Sequence, residues 1–384
     1  MTTWSVVKDD TRQKPRRELI PRSALLACLA LVVVSLGMAF SPGSPKEPAE
    51  PPFSEQARSA ALTETMRLRA AGEELARSTA GDAKPAVART VSLLTSQARA
   101  LLVPGQDGPG SSPAPVSPSS AAPSASASAA APTTAPLPAT AAALATELAA
   151  SASQRLADAA VADGGMARLL AAVGTAQLLQ ASSLAAAAGA PAPAAPDPAA
   201  PQLSGACPSA PASPSTSASS SQAPDSAGAE TGAATLPGAL AATVRTELET
   251  VYGYQVALTR LGGDAAASAS QQLARHEALA AGAEALSRMH CAAVPSREAG
   301  YTMAPEFLAS PAAGLGGLEA SALTVYGDLV ALSEGQTRQW AISGLVGAAR
   351  RSALWGAETG VLPGLAADPA AFPELPAPAV SPAP

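Results

Sequence analysis

Two long stretches rich in proline, alanine and serine constrain this chain more than any other feature of its sequence. They cover residues 104–139 and 190–236, and large apolar side chains are scarce in both. Such segments cannot bury enough apolar surface to offset the entropy that a chain loses on ordering. We therefore predict two disordered linkers at these places, and a disordered tail of similar composition over 361–384.

The segments between the predicted linkers favour helices over strands. Alanine supplies most of the apolar residues, aromatic residues make up only 3% of the chain, and the β-branched runs typical of strands are nearly absent. Apolar residues recur at helical spacing over 53–103 and over 140–189. We predict an all-α fold in which these two helical segments pack on each other across the first linker.

An uncharged apolar run over residues 23–40 predicts a membrane segment. Its length is at the short end of what crosses the hydrocarbon of a bilayer. Six lysine and arginine residues stand in the tail over 1–22, and proline-rich sequence follows the run. Because basic residues stay on the cytoplasmic side of a membrane helix, we predict a single-pass protein of the cell membrane. Its N-terminus would be cytoplasmic and the bulk of the chain extracytoplasmic.

Three kinds of processing compete with a retained anchor. Gly37-Met38-Ala39 has the small residues of a signal-peptide cleavage site, and cleavage there would release a secreted protein. Leu25-Leu26-Ala27-Cys28 is similar to a lipoprotein cleavage box, and Arg16-Arg17 to a twin-arginine export signal. The retained anchor is our first prediction, and secretion after cleavage is the alternative.

Charge and cysteine content narrow the classes of partner. A net charge of −6 and a charged fraction of 14% leave no basic field for a nucleic-acid backbone, so we expect no nucleic-acid partner. Cys28, Cys207 and Cys291 lack CxxC spacing and a neighbouring histidine cluster, which argues against structural zinc. Outside the cytoplasm Cys207 and Cys291 can form a disulfide; two free thiols are the alternative.

The last third of the chain predicts a four-helix bundle over residues 237–360. The composition typical of the linkers ends there. Glycines separate the two helices within each of two pairs, and a longer connection with three prolines joins the pairs. The predicted helices span 238–261, 265–289, 314–333 and 336–358.

Three of these helices each place one ionisable side chain on the face that leucine and alanine otherwise occupy. At about 100° per residue, Glu247 lies at the edge of the first stripe, while His276 and Glu319 lie within the second and third. The fourth helix has no inward acid or histidine, and Trp340 and Trp355 fall off its stripe. A buried charge requires a partner, so we predict that the three side chains meet in a common interior.

At these positions the segment resembles the ferritin-like domains, specifically the domain-of-unknown-function family 4439 of exported or lipoprotein-like actinobacterial proteins. The resemblance covers about residues 236–360 and rests on four motifs. These are Glu247-Leu-Glu-Thr-Val-Tyr-Gly-Tyr254, His276-Glu277, Leu318-Glu319 followed by Val325-Tyr326, and Ala348-Ala349-Arg350-Arg351-Ser-Ala-Leu-Trp355. The resemblance implies a ferritin-like bundle and little beyond it, because no activity is established for the family.

The segment departs from the di-iron proteins of that class, which hold two metals with six ligands. Leu273 stands where a glutamate would precede His276, so at most three of the six ligands remain: Glu247, His276 and Glu319. These three form a buried hydrogen-bonded cluster, or they hold a single iron, manganese or zinc ion with open coordination positions. A third interpretation leaves His276 exposed.

Other catalytic constellations are missing from the sequence. It contains two histidines, no Gly-x-Ser-x-Gly elbow and no glycine-rich phosphate loop ahead of a helix. We expect a non-enzymatic binding or structural role with a protein partner in the cell envelope; a metal-binding protein or metal-dependent oxidoreductase is the alternative. The helices ahead of the bundle are expected to be structural, with binding of peptidoglycan or of a partner helix as their alternative.

Overall fold

The computed structural model describes residues 50–81, 83–102, 137–194, 200–205, 207 and 234–376 of the chain. The predicted basic tail, the predicted membrane segment and almost all of the first predicted linker lie outside the described residues.

The regular secondary structure in the described part of the chain is helical, and no strand occurs there. The predicted all-α fold is therefore confirmed. The helices are α1 (Phe53–Ser78), α2 (Ala83–Leu101), α3 (Ala141–Val161), α4 (Gly164–Ala187), α5 (Leu236–Leu258), α6 (Gly263–Met289), α7 (Pro305–Ala309), α8 (Pro311–Leu332) and α9 (Gly335–Leu354).

Helices α1 to α4 form an N-terminal bundle. The pairs α1 with α2 and α3 with α4 are hairpins, and α1 also packs on α3 and α2 on α4. Thr140 and Asp163 begin α3 and α4, each accepting a hydrogen bond at 3.1 Å from the backbone three residues on. The helices approach closely: a Cβ atom at Gly174 of α4 would lie 2.9 Å from the Ala152 carbonyl of α3.

Helices α5, α6, α8 and α9 form a C-terminal bundle, and the short α7 lies in the connection between its two hairpins. α5 packs on α6 and on α8, and α8 packs on α9. Observed and predicted ends of the four helices agree within four residues. Gly344 of α9 permits one close approach, because a Cβ atom there would lie 2.1 Å from the Tyr326 ring of α8.

The two bundles share one hydrophobic core. α4 packs against α8, and α9 contacts both α3 and α4. At Gly164 of α4 a Cβ atom would lie 2.1 Å from the Ala331 carbonyl of α8, so only glycine fits this crossing without a shift. Arg338 of α9, itself buried, donates to the Val330 carbonyl at 3.1 Å and to the Ala162 carbonyl. Packing therefore continues without a gap from one bundle to the other.

Two segments that we predicted to be disordered pack on the bundles in part. In the second predicted linker, Leu203 contacts the core and the Ser204 amide donates to Gln336 at 3.2 Å. In the predicted tail, Leu362 is buried, and Arg99 of α2 donates to the Phe372 carbonyl at 2.9 Å. Isolated apolar residues and hydrogen bonds thus join parts of both segments to the helices.

Two described helices, α4 and α8, are long and apolar enough to cross a membrane by length and composition alone. This finding suggests membrane association only weakly. In their most apolar windows, 67% of α4 and 50% of α8 is buried inside the protein, as in the core helices of a bundle.

Candidate functional site: a buried histidine between two glutamates

The structure brings all three predicted site residues together at the centre of the C-terminal bundle. Glu247 comes from α5, His276 from α6 and Glu319 from α8, and each has an exposed fraction of 0%. Inward projection follows from their places on the apolar stripes of the three helices. Glu247, which the sequence placed at the edge of its stripe, is as deeply buried as the other two.

The His276 ring bridges the two carboxylates. Its Nδ1 atom lies 2.7 Å from Glu247 Oε2, and its Nε2 atom lies 2.7 Å from Glu319 Oε1. Each of these bonds to an ionised carboxylate requires a proton on the ring nitrogen, so the geometry corresponds to imidazolium. Burial lowers the pKa of His276, but the hydrogen bonds to Glu247 and Glu319 outweigh it and raise the pKa above 6.5.

The fourth helix of the bundle contributes Arg351, which sequence reasoning missed. Its Nε atom donates to both carboxylate oxygens of Glu319, at 2.9 Å each, and its side chain is buried. Burial raises the pKa of Glu319. The hydrogen bond from His276 and the charge of Arg351 lower it by more, so the pKa is below its ordinary value. The Arg350-Arg351 pair was visible in the sequence, but a search for inward acids and histidines does not detect a cation.

Two tyrosines and a tryptophan complete the hydrogen bonding of the carboxylates. The Tyr326 hydroxyl donates to Glu247 Oε1 at 2.6 Å, and the Tyr254 hydroxyl donates to Glu319 Oε1 at 2.7 Å. Trp355 Nε1 in turn donates to the Tyr254 hydroxyl at 2.7 Å. We call these seven residues the interior cluster: Glu247, Tyr254, His276, Glu319, Tyr326, Arg351 and Trp355.

Trp340 is buried, although the helical wheel predicted that it lies off the apolar stripe of α9. It is only 4% exposed and packs against the Tyr326 ring, with centroids 5.7 Å apart. Space for the indole comes from Gly282 of α6, where a Cβ atom would lie 3.1 Å from Trp340 Nε1. A wheel drawn for one helix cannot show a glycine on its neighbour.

Residues 239–367 match a family model described as Domain of unknown function (DUF4439). The match confirms the resemblance inferred from the sequence and contains the whole interior cluster. No curated protein and no solved structure matches the chain. That the bundle is ferritin-like stays a prediction, since the family description assigns no fold or activity.

The interior cluster is electrically balanced by its own residues. Glu247 and Glu319 carry two negative charges, and His276 and Arg351 carry two positive ones. Such a network offsets the cost of burying charge only when its charges are paired, and here each carboxylate accepts a hydrogen bond from a cationic side chain. In this arrangement the cluster requires no further cation for neutrality.

The three predicted metal ligands are arranged as hydrogen-bond partners rather than around a common point. Both ring nitrogens of His276 face carboxylate oxygens, so neither has a lone pair for a metal. Throughout the described ranges, no group of three or more histidine, cysteine or acidic side chains has a metal-binding arrangement. The residues as placed do not fit an iron, manganese or zinc ion, and a metal site stays a prediction from the sequence.

A disulfide joins Cys207 to Cys291 at the end of α6, with the two Cα atoms 5.2 Å apart. It ties the second predicted linker to the C-terminal bundle across 84 residues of sequence. Of the two alternatives that the sequence left open for these cysteines, the structure has the disulfide. Cys28 lies outside the described residues.

Proposed function

We propose that the chain is a membrane-anchored extracytoplasmic protein whose C-terminal bundle, a degenerate ferritin-like bundle, has a non-enzymatic binding or structural role in the cell envelope. The observation that carries the role is the closed interior cluster. Each reactive group in it is already bonded to another: the imidazole to two carboxylates, and Glu319 to Arg351 as well. A general base or metal ligand needs an available lone pair, and in this arrangement both ring nitrogens of His276 are engaged and each carboxylate already accepts at least two hydrogen bonds.

The disulfide supports the extracytoplasmic side of this proposal. Disulfides persist in oxidising compartments and are rare where thiols are kept reduced. The uncharged run over 23–40 and the basic tail ahead of it support anchoring with the N-terminus in the cytoplasm. Mass measurement of the mature protein tests the anchor: an intact N-terminus is expected, whereas a chain that begins after residue 39 would replace the anchor by secretion.

Elemental analysis of the purified full-length chain tests the non-enzymatic role. We expect iron, manganese and zinc far below one ion per chain. The matched variants are Glu247→Ala in the interior cluster and Glu249→Ala on the exposed face of the same helix. Stoichiometric metal that is lost in Glu247→Ala and kept in Glu249→Ala would contradict the proposal.

A metal-binding protein or metal-dependent oxidoreductase is the second candidate function. One observation favours it: three side chains of the kinds that bind iron, manganese or zinc come from three helices to one fully buried place. Binding would require His276 to give up one carboxylate partner and a proton. Because metal then competes with that proton, added metal should release protons in a titration at neutral pH, which the first candidate does not expect.

A further inference from the structure

A cleft of about 330 Å³ is lined by residues of α6 and α9, and its lining shares Arg351 with the interior cluster. Three arginines line it, namely Arg275, Arg350 and Arg351, and no carboxylate is among its lining residues. Arg275 is exposed and forms no ion pair within the described part of the chain. The described lining of the cleft therefore carries guanidinium groups and no carboxylate, in a protein whose net charge is −6.

Arg351 has hydrogen-bonding capacity left over. Its Nε atom is used by Glu319, but its buried Nη2 atom has no hydrogen-bond partner among the described residues. The side chain is 6% exposed, so bulk water does not satisfy that donor. Gly347, also in the cleft lining, keeps the space beside the guanidinium open, since a Cβ atom there would lie 2.9 Å from Arg351 Nη1.

Gln272, which lines the same cleft, has a buried acceptor that lacks a hydrogen-bond donor in the described part of the chain. This residue is 6% exposed and lines the cleft from α6, and its buried Oε1 atom has no donor within the described ranges. A buried donor without an acceptor and a buried acceptor without a donor thus belong to residues that line the same cleft. A ligand with anionic oxygens and a hydroxyl has both the acceptor and the donor that these two atoms lack.

We propose that this cleft binds a hydrogen phosphate ion. Its anionic oxygens accept hydrogen bonds from Arg351 and Arg275, and its hydroxyl donates to Gln272 Oε1. Arginine suits this task because its planar fork of N–H donors matches the oxygens of phosphate. The hydroxyl distinguishes phosphate from sulfate, which has the same shape but carries no proton near neutral pH. Phosphate binding does not depend on the proposed anchoring or on the absence of a metal.

Calorimetric titration of the full-length protein with inorganic phosphate tests the proposal. We expect one saturable site, at least tenfold weaker binding of sulfate, and about tenfold weaker phosphate binding in Arg275→Gln, as for loss of one charged hydrogen bond. Arg245→Gln is the matched control, because Arg245 is also an exposed helical arginine but does not line the cleft. Its affinity for phosphate should stay within twofold of that of the unaltered protein.

Three results would overturn the proposal. These are absence of saturable phosphate binding at millimolar concentration, equal weakening in Arg275→Gln and Arg245→Gln, and sulfate affinity equal to that of phosphate. A second variant, Gly347→Ala, tests the position of the ligand, since its methyl group displaces the Arg351 guanidinium. We expect weaker phosphate binding with an unchanged helix content in the circular dichroism spectrum; unchanged binding would place the ligand elsewhere.

Discussion

The two bundles of this protein bury polar groups in different ways. In the N-terminal bundle the most buried ion pair, Arg155 with Asp158, lies within one turn of α3, at 3.0 Å. Interior hydrogen bonds between its helices are separate pairs: Gln177 donates to Gln97 at 3.0 Å, and the buried Arg58 donates to the Leu101 carbonyl. In the C-terminal bundle the interior charges instead connect four helices.

This difference affects how strongly each interior determines the rotation and register of its helices. A neutral amide pair can be lost without leaving a buried charge, whereas each member of a charged cluster leaves an uncompensated charge when it is removed. The interior cluster should therefore set the rotation and register of α5, α6, α8 and α9. The helical stripes of α1 to α4 consist mainly of buried alanine and leucine.

Removal of Arg351 should produce the largest loss of stability. Arg351→Met leaves Glu319 with a single cationic partner, and breaking a buried pair in this way costs about 3–5 kcal/mol. Denaturant unfolding followed by tryptophan fluorescence measures the loss, because Trp340 and Trp355 both belong to the C-terminal bundle. Arg245→Met on the exposed face of α5 is the control, and equal losses in the two variants would contradict a specifying role for the cluster.

Removal of the disulfide should cost somewhat less. Replacement of Cys207 and Cys291 by serine frees the second linker segment from the bundle, and a link across a long loop typically contributes about 2–4 kcal/mol. Thermal unfolding with and without a reducing agent measures this contribution. The reduced protein should match the double variant, and a midpoint insensitive to reduction would show that the disulfide does not stabilise the bundle.

Stability should depend on pH through His276. Its pKa is raised in the folded protein, so its contribution is complete below the unfolded value of 6.5 and is lost as pH rises through the folded pKa. The free energy of unfolding should therefore fall as pH rises above 6.5. In His276→Gln this decline should disappear, while a decline that persists in the variant would assign it to another group.

The N-terminal bundle should respond least to loss of an interior polar group. Gln177→Leu removes one neutral hydrogen bond, together with an amide oxygen that has no donor in the described part of the chain. The expected loss is on the order of 1 kcal/mol. Thermal unfolding followed by circular dichroism measures it, and a loss as large as that of Arg351→Met would remove the contrast between the bundles.

Helix positions and the central site residues could be predicted because both depend on local spacing. The period of the apolar residues and the positions of glycines determine where helices begin and end. A polar residue on an apolar stripe can be recognised from the sequence of its own helix. The partner of such a residue is not visible in that way. Arg351 lies 32 residues from Glu319, and the sequence does not show how α9 is rotated against α8.

By itself, the sequence determined that this protein is helical, where its C-terminal helices lie, and which three polar side chains point inward, because these properties follow from periodicity within single helices. Only the tertiary structure decided that Arg351 neutralises the cluster, that Cys207 reaches Cys291, and that residues 361–376 pack on the bundles. Each of these depends on contacts between distant residues, which spacing along one helix does not encode.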